Sequence, residues 1–256
     1  MNGSEPKRDS RGEENEDTDM KAVVPAAGEG SRLGEHTDER PKPLVEVSGE
    51  PILTRCFARL VDAGVSELVV VVGYRGEEIT GYYGRSFESI PISYVHQHER
   101  LGLAHAISRA EERVDGEFLV YNGDNVISGN LGEVIEGQRS GADATLLVDR
   151  VSETEARETG VLDVDDDGRL RRIVEKPAEP PSTLVTTGVY GLSPEIFDAC
   201  RRIDPSDRGE YELADALTLL IEGGRRVEVV ELDGWRVNVN TPEDVERAER
   251  LLAGER

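Results

Sequence analysis

Short apolar runs alternate with stretches of helical spacing through the first half of the chain. The runs Ala22–Ala26 and Glu67–Gly73 are rich in consecutive apolar residues, which is typical of parallel strands covered on both faces. Between them, Pro51–Ala63 carries its apolar residues at the spacing of an amphipathic helix. The alternation predicts βαβ units, and therefore a doubly wound, mostly parallel sheet over residues 20–149. The elements predicted for this half are the strands Ala22–Ala26, Glu67–Gly73, Ile92–His96, Phe118–Asn122 and Ala142–Asp149 and the helices Pro51–Ala63, Glu77–Tyr83 and Gly102–Val114.

Beyond residue 150 the pattern changes, because the predicted strands follow one another with little helix between them. The sequence Asp-Asp-Asp-Gly at residues 165–168 predicts a hairpin turn between the first two. We therefore expect an antiparallel-rich half that lies over one edge of the parallel sheet. Thr241 as N-cap, Pro242 and Asp244 mark the start of a closing helix. The other elements predicted here are the strands Val161–Val164, Leu170–Glu175, Leu184–Leu192, Arg226–Leu232 and Trp235–Val239 and the helices Pro194–Arg201 and Tyr211–Glu222.

The chain has 256 residues, enough for one large α/β domain. Residues 1–19 are polar and highly charged and contain no apolar segment of a signal peptide, so we expect a disordered acidic tail there. We expect residues 20–256 to form a single domain. Translation from Met1 and translation from Met20 are both compatible with this pattern. The sequence contains no run of about 18 apolar residues, so we expect no membrane span.

The composition narrows the classes of partner. The formal net charge of -23 argues against nucleic acid and anionic membranes, which such a chain would repel. Lysine occurs only at positions 7, 21, 42 and 176, and an acidic, lysine-poor, arginine-rich chain resembles proteins of salt-loving archaea. A plain acidic bacterial enzyme is the alternative. Cys56 and Cys200 are far apart and form no CxxC pair, so we expect reduced thiols, no structural zinc and a cytoplasmic location.

A glycine-rich turn follows the first predicted strand, with glycines at 28, 30 and 34. That spacing fits neither G-x-G-x-x-G nor G-x-x-x-x-G-K-[ST], and by itself it describes an ordinary strand-to-helix connection equally well. Arg32 follows the glycines and can bind phosphate oxygens with its forked guanidinium. Lys42 is held between two prolines that stiffen the chain around it. In a chain that almost never uses lysine, these residues favour a loop that binds a triphosphate.

Several motifs in order give this chain a family resemblance. Residues 25–33 read Pro-Ala-Ala-Gly-Glu-Gly-Ser-Arg-Leu and residues 41–43 read Pro-Lys-Pro. This resembles the opening signature of the sugar-phosphate nucleotidylyltransferase family, and within it the glucose-1-phosphate thymidylyl- and uridylyltransferases. The resemblance continues over residues 20–254. It implies an α/β, Rossmann-like three-layer nucleotidyltransferase fold with a mixed, mostly parallel central sheet and an antiparallel-rich sugar-binding half.

The resemblance also assigns expected roles to individual residues. Arg32 and Lys42 would be catalytic. Nucleotide binding would fall to the turn and to a segment resembling the family's base-reading Gln and Gly, namely Ala27, Gly28, Gly30, Ser31, Gln97 and Gly102. The sugar phosphate would be held by motifs resembling Y-G-V, E-K-P, T-G-x-Y and R-G-E, at Gly160, Glu175, Lys176, Gly188 and Arg208. Thr159 replaces the usual Tyr of the first of these motifs, and the sugar is therefore left open.

Two residues resemble the family's ligands for Mg²⁺, the expected cofactor. Asp124 stands in a Gly-Asp-Asn sequence after a predicted strand, and the carboxyl ends of strands are where open α/β sheets bind ligands. Asn238 stands where thymidylyltransferases have a second Asp, and its amide oxygen can also bind Mg²⁺. An alternative for Asn238 is a strand-end residue that caps the next helix.

The implied reaction joins a nucleoside triphosphate and a sugar-1-phosphate into a nucleotide-sugar and pyrophosphate. Gln97 and the segment after Gly102 favour UTP or dTTP, with glucose-1-phosphate as the expected acceptor. A mannose-1-phosphate guanylyltransferase or another nucleotide specificity is the alternative within the enzymes. A non-catalytic regulatory relative is a second alternative, disfavoured because Arg32, Lys42, Asp124 and Lys176 are all present. Homo-oligomers occur among related enzymes, and the sequence leaves that open.

Overall fold

The computed structural model describes residues 20–30, 33–34 and 40–255. The predicted acidic tail, Ser31 and Arg32 lie outside the described residues. The described strands are β1 (Lys21–Ala26), β2 (Glu46–Val47), β3 (Glu50–Pro51), β4 (Glu67–Val72), β5 (Ser86–Phe87), β6 (Ile90–His96), β7 (Phe118–Tyr121), β8 (Asn125–Ser128), β9 (Ala144–Arg150), β10 (Gly160–Val164), β11 (Leu170–Glu175), β12 (Leu184–Leu192), β13 (Val227–Glu231) and β14 (Trp235–Asn238). The described α-helices are α1 (Ile52–Asp62), α2 (Gly76–Tyr83), α3 (Leu103–Ser108), α4 (Gly132–Arg139), α5 (Glu153–Ala156), α6 (Glu195–Cys200), α7 (Leu213–Glu222) and α8 (Pro242–Leu252).

Four parallel strands, in the order β7-β1-β4-β6, form the centre of the sheet. Their apolar side chains alternate between two buried layers. Val23, Val69 and Phe118 pack with α3, α6 and α7, whereas Val24 and Val70 pack with α1 and α2 on the other face. Helices on both faces of a mixed, mostly parallel sheet confirm the predicted three-layer α/β fold. The carboxyl ends of these strands share one edge, where the connecting loops meet.

The antiparallel half extends this sheet, whereas it was expected to lie over its edge. Strand β12 pairs antiparallel with β7 and also pairs with β9 and β10. The predicted fifth parallel strand, β9, runs in the same direction as β7 but is separated from it by the antiparallel strand β12. After β7 the chain leaves the sheet as β8, which pairs with β14, before α4 and β9 follow.

The helices differ from the predictions mainly in length. The helix predicted over 102–114 is wrong in its second half, because α3 ends at Ser108 and a separate 3-10 turn covers Glu111–Arg113. The Ser108 hydroxyl donates to the carbonyl of Ala104 and competes with the helical pattern there. The predicted start of α8 is confirmed, since Thr241 and Asp244 form a reciprocal capping box. In the described part of the chain, every helix is too short or too polar to cross a bilayer.

Candidate active site

A cleft of about 990 Å³ opens at the carboxyl ends of the parallel strands. Its walls come from the loops after β1 and β6, the loop after β7, the strands of the antiparallel half and β14. Among the residues singled out from the sequence, the cleft brings together Ala27, Gly28, Gly30, Lys42, Gln97, Gly102, Asp124, Gly160, Glu175, Lys176, Gly188 and Asn238. Arg208 is not part of the lining.

The glycine-rich turn is packed directly against Lys42. Gly30 has φ of +72°, and a Cβ placed on it would lie 2.5 Å from the Cβ of Lys42. The carbonyl of Gly30 accepts a hydrogen bond from the backbone N–H of Leu33 at 2.9 Å. Glycine is therefore needed here both for the left-handed backbone and for the close approach of the lysine.

Lys42 lies at the start of a short 3-10 helix, Lys42–Leu44, and is almost fully buried. Its ammonium donates to Asp124 Oδ2 at 2.8 Å and to Asn240 Oδ1 at 2.9 Å. The two prolines that flank it limit the backbone, and the two acceptors hold the charged end. The structure thus joins the expected catalytic lysine directly to the expected metal carboxylate, and it adds Asn240, which the sequence motifs did not indicate.

The residues expected to bind Mg²⁺ lie on adjacent segments. The backbone N–H of Val239 donates to the carbonyl of Asp124 at 2.9 Å, and Asn238 pairs with Asn125 in the β8–β14 ladder. Asn238 Oδ1 is buried and has no hydrogen-bond partner among the described residues. A buried amide oxygen without a donor, next to a carboxylate, is a donor set that suits a hard cation. Within the described ranges no cluster of three or more His, Cys, Asp or Glu side chains could form a cage, so further ligands would come from substrate and water.

The segment expected to read the base is fixed by Gln97 and Gly102. Gln97 Nε2 donates to the carbonyl of Gly102 at 3.2 Å and lies 2.9 Å from His105 Nδ1. Burial, aided by the charge of Arg109, lowers the pKa of His105, so the neutral ring can accept that bond. A Cβ on Gly102, where φ is +98°, would lie 2.6 Å from the carbonyl oxygen of Tyr211. Glycine is thus required at position 102 for backbone packing, independently of any contact with a nucleotide base.

The residues expected around the sugar line the other end of the cleft. A Cβ on Gly160 would lie 3.0 Å from Thr186 Oγ1 and 3.1 Å from Glu175 Oε2, which places the three together. Burial raises the pKa of the Glu175 carboxyl, and the charge of Lys176, whose Nζ lies 3.7 Å from Glu175 Oε1, offsets part of that rise. Arg208 Nη2 lies 3.9 Å from the same oxygen.

Gly188 and Arg208 complete the expected sugar-phosphate set. Gly188 has φ of +86°, and a Cβ there would lie 2.9 Å from Asn125 Nδ2. Arg208 donates to Glu212 Oε1 at 2.7 Å and is linked to the cleft only through its 3.9 Å ion pair with Glu175. Its phosphate contact stays a prediction.

A family model described as nucleotidyl transferase matches residues 21–252. The chain belongs to the nucleotidyl transferase family. The UTP–glucose-1-phosphate uridylyltransferase AglF of Haloferax volcanii is 48% identical over 92% of this chain and 98% of its own length. A glucose-1-phosphate thymidylyltransferase of Streptomyces antibioticus is 35% identical over 89% of the chain, which spans 65% of that protein.

A solved structure of UDP-glucose pyrophosphorylase complexed with UDP-glucose shares the fold of this nucleotidyl transferase. The TM-score is 0.83 over 93% of this chain and 99% of the other, at 24% identity. The family membership and fold predicted from the motifs are therefore confirmed.

Asn240 and Arg236 line the cleft of this nucleotidyl transferase, but the sequence motifs gave them no role. Asn240 contacts Lys42 across 198 positions of sequence, and no local pattern signals such a contact. Arg236 also lines the cleft. The alternation along β14 does give a signal for it, because Arg236 and Asn238 fall on the same face of the strand, opposite Val237.

Proposed function

We propose that this nucleotidyl transferase joins UTP and glucose-1-phosphate into UDP-glucose and pyrophosphate. The observation that carries the proposal is the single cleft, in which the glycine-rich turn and the Lys42–Asp124 pair face the Glu175–Lys176 pair. A triphosphate bound at the first set and a sugar phosphate at the second would meet beside Lys42. The 48% identity to a uridylyltransferase along nearly its full length supports the choice of UTP and glucose-1-phosphate.

Gln97 supports a uracil or thymine base. Its side-chain nitrogen is engaged by Gly102 and His105, so the side-chain oxygen is the group left for a base. A carbonyl oxygen accepts from the N3–H that uracil and thymine carry and cytosine lacks. UTP and dTTP both satisfy this contact, and dTTP is therefore the second nucleotide to be tested.

The reaction needs positioning and charge neutralisation rather than a protein nucleophile. An oxygen of the sugar phosphate attacks the α-phosphorus of the nucleotide, the bond to the bridging oxygen breaks, and pyrophosphate leaves. Lys42 would neutralise charge at the α-phosphate, and removal of one such donor typically slows turnover by roughly 10²–10³-fold. Lys176 and Arg208 would hold the sugar phosphate, and Arg32 the leaving pyrophosphate.

Asp124 and Asn238 would hold Mg²⁺, which would supply positive charge that offsets the charge of the bound phosphates. Asn240 also accepts from the Lys42 ammonium, at 2.9 Å, so it would hold that ammonium in the cleft if Asp124 were a metal ligand.

The acidic composition supports an enzyme adapted to high salt. The chain carries 53 acidic and 30 basic residues, and the relative AglF comes from Haloferax volcanii. A dense carboxylate surface repels itself at low ionic strength, and salt screens that repulsion. A cytoplasmic location, a single domain over residues 20–256 and a homo-oligomer stay predictions.

The test is a pyrophosphate-release assay that crosses UTP, dTTP, CTP, GTP and ATP with several sugar-1-phosphates, with Mg²⁺ at low and high KCl. We expect UTP with glucose-1-phosphate to give the highest kcat/KM. Lys42→Met should slow turnover by roughly 10²–10³-fold and leave the fold intact. Lys21→Met is the matched control, because Lys21 forms its ion pairs with Glu67 and Asp115 and does not line the cleft. No release from any pair, or near-normal turnover by Lys42→Met, would contradict the proposal.

A further inference from the structure

Arg236 is a buried arginine in the wall of the cleft. It lies in β14, and its side chain is only 8% exposed. Alternation along the strand places it on the same face as Asn238, two residues away, while Val237 faces the apolar core on the other side. Arg236 and Asn238 both line the cleft.

The guanidinium of Arg236 makes no hydrogen bond to any residue in the described part of the chain. Its Nε is buried without a hydrogen-bond partner and forms only a long ion pair, 3.6 Å, with Asp149 Oδ2. Burial lowers the pKa of Arg236, which reflects the unfavourable desolvation of its charge. A buried guanidinium with five donors ordinarily has partners, because leaving them unsatisfied is costly. A bound molecule in the cleft can supply the missing acceptors.

The sheet places this arginine on the far side of the sugar end of the cleft. In β12, Val185 pairs with Val161 of β10 on one side and with Asp149 of β9 on the other. Two strand spacings, about 10 Å, therefore separate β10 from β9, and Gly160 and Asp149 line the cleft from the two sides of β12. Arg236, beside Asp149, closes the side opposite Gly160.

Tyr190 lies between the two sides. Burial raises its pKa to about 12, and the charges of Glu175 and Arg236 act on it in opposite directions. Glu175 and Arg236 thus both approach the same phenol. The two charged residues face one shared space.

The charges beside Arg236 favour hydroxyl groups over a second oxyanion. Asp149 lies 3.6 Å from the guanidinium and balances its charge, while the more distant carboxylate of Glu155 is paired with Arg247 at 2.9 Å. A phosphate or carboxylate placed against Arg236 would therefore find no excess positive charge and would meet the Asp149 carboxylate. A sugar hydroxyl can accept from the guanidinium and donate to the carboxylate, so it satisfies both members of the pair.

We propose that Arg236 and Asp149 recognise hydroxyl groups of the hexose-1-phosphate, from the side opposite Glu175. The pair is then a specificity determinant that selects the acceptor by its hydroxyl pattern. This inference rests on the proposed function, since it concerns the sugar end of the same cleft.

The experiment combines one variant with trimmed substrates. Wild type and Arg236→Met are assayed with UTP and glucose-1-phosphate, and with glucose-1-phosphates that each lack one hydroxyl. Loss of a hydrogen bond to a charged group lowers kcat/KM by roughly 10- to 100-fold. For the wild type, we expect kcat/KM to be lower by that factor with one particular deoxy sugar than with glucose-1-phosphate. For Arg236→Met, kcat/KM with glucose-1-phosphate should already be lower by that factor than in wild type, and it should not fall further when that deoxy sugar replaces glucose-1-phosphate.

Two controls separate recognition from folding. Arg236→Met should keep the KM for UTP and a melting temperature close to that of wild type, because the side chain it removes makes one long ion pair, with Asp149, and no hydrogen bond. Arg172→Met removes an arginine that pairs with Asp163 outside the cleft, and we expect it to leave every kcat/KM unchanged. If Arg236→Met unfolds, Asp149→Asn is the second variant, and it should lose selectivity for the same hydroxyl.

The remaining outcomes are decisive. An equal loss on glucose-1-phosphate and on every deoxy analogue would overturn the proposal and assign Arg236 to the phosphate. No loss at all would also overturn it. If the wild type released no pyrophosphate with any sugar-1-phosphate, the proposed function would instead be refuted. That result would be known from the wild type alone, before any variant is made.

Discussion

Replacing Gly30 by alanine tests whether the glycine-rich turn positions the lysine. The substitution removes no functional group. At Gly30, φ is +72°, and the new Cβ would lie 2.5 Å from the Cβ of Lys42, whereas ordinary contacts begin near 3.4 Å. The turn and the lysine must therefore move apart by about 1 Å, because neither of these atoms is the end of a flexible side chain.

The expected losses can be worked out separately. A left-handed alanine costs about 1–2 kcal/mol, and overpacking costs about 1–3 kcal/mol, so the free energy of unfolding should fall by about 2–5 kcal/mol. A displacement of about 1 Å in a catalytic group can lower turnover by roughly 100-fold. We therefore expect Gly30→Ala to be folded, less stable and poorly active.

The assay pairs urea unfolding with kcat from pyrophosphate release. Gly224→Ala is the matched control, because Gly224 has φ of +70° with open space around its Cβ and lies just beyond the end of α7, outside the cleft. It should lose only the backbone part, about 1–2 kcal/mol, and keep full turnover. Wild-type turnover in Gly30→Ala would refute the reasoning, as would an equal loss of turnover in Gly224→Ala.

Three further predictions concern charge. Burial raises the native pKa of Glu175 above 4.5, so the folded state binds the proton more tightly and its stability falls as the pH rises. Glu175→Gln should therefore raise the free energy of unfolding at pH 7, and the gain should vanish as the pH is lowered through the raised pKa to below 4.5; a gain independent of pH would contradict this. Mg²⁺ with UTP should raise the melting temperature of the wild type more than UTP alone, and Asp124→Ala should lose the increment due to the metal; an unchanged increment would remove Asp124 from the site. Because the net charge is -23, the melting temperature should rise with KCl, and a flat response would argue against adaptation to salt.

The central strands were predictable because they carry dense local signals. The apolar runs around Val24 and Val70 are long enough to indicate buried parallel strands, and β1 and β4 differ from the predictions by a single residue at one end. Helix α4 was missed because its sequence, Gly-Glu-Val-Ile-Glu-Gly-Gln-Arg at residues 132–139, contains two glycines and few apolar residues. Strand β8 was missed because its partner β14 lies about 110 positions later, and only that pairing makes it a strand.

The residues of the candidate site also differ in how strong a local sequence signal they carry. Motif residues such as Lys42 and Glu175 were found because their sequence neighbours are distinctive. Asn240 was not, because its role follows from one contact that only folding creates. The alternation along β14 predicts that Arg236 lies on the same face as Asn238. Its lack of hydrogen bonds becomes visible only when folding brings β9, β12 and β14 together.

The most direct test of the proposed function is the fate of the α-phosphorus of UTP. The protein is incubated with glucose-1-phosphate, Mg²⁺ and UTP radiolabelled at the α-phosphorus, and the products are separated. We predict that the label enters UDP-glucose in an amount equal to the unlabelled pyrophosphate released, and that Lys42→Met forms both products roughly 10²–10³-fold more slowly. Label in free UMP without UDP-glucose, or no labelled product at any salt concentration, would contradict a nucleotidyl transfer to the sugar phosphate.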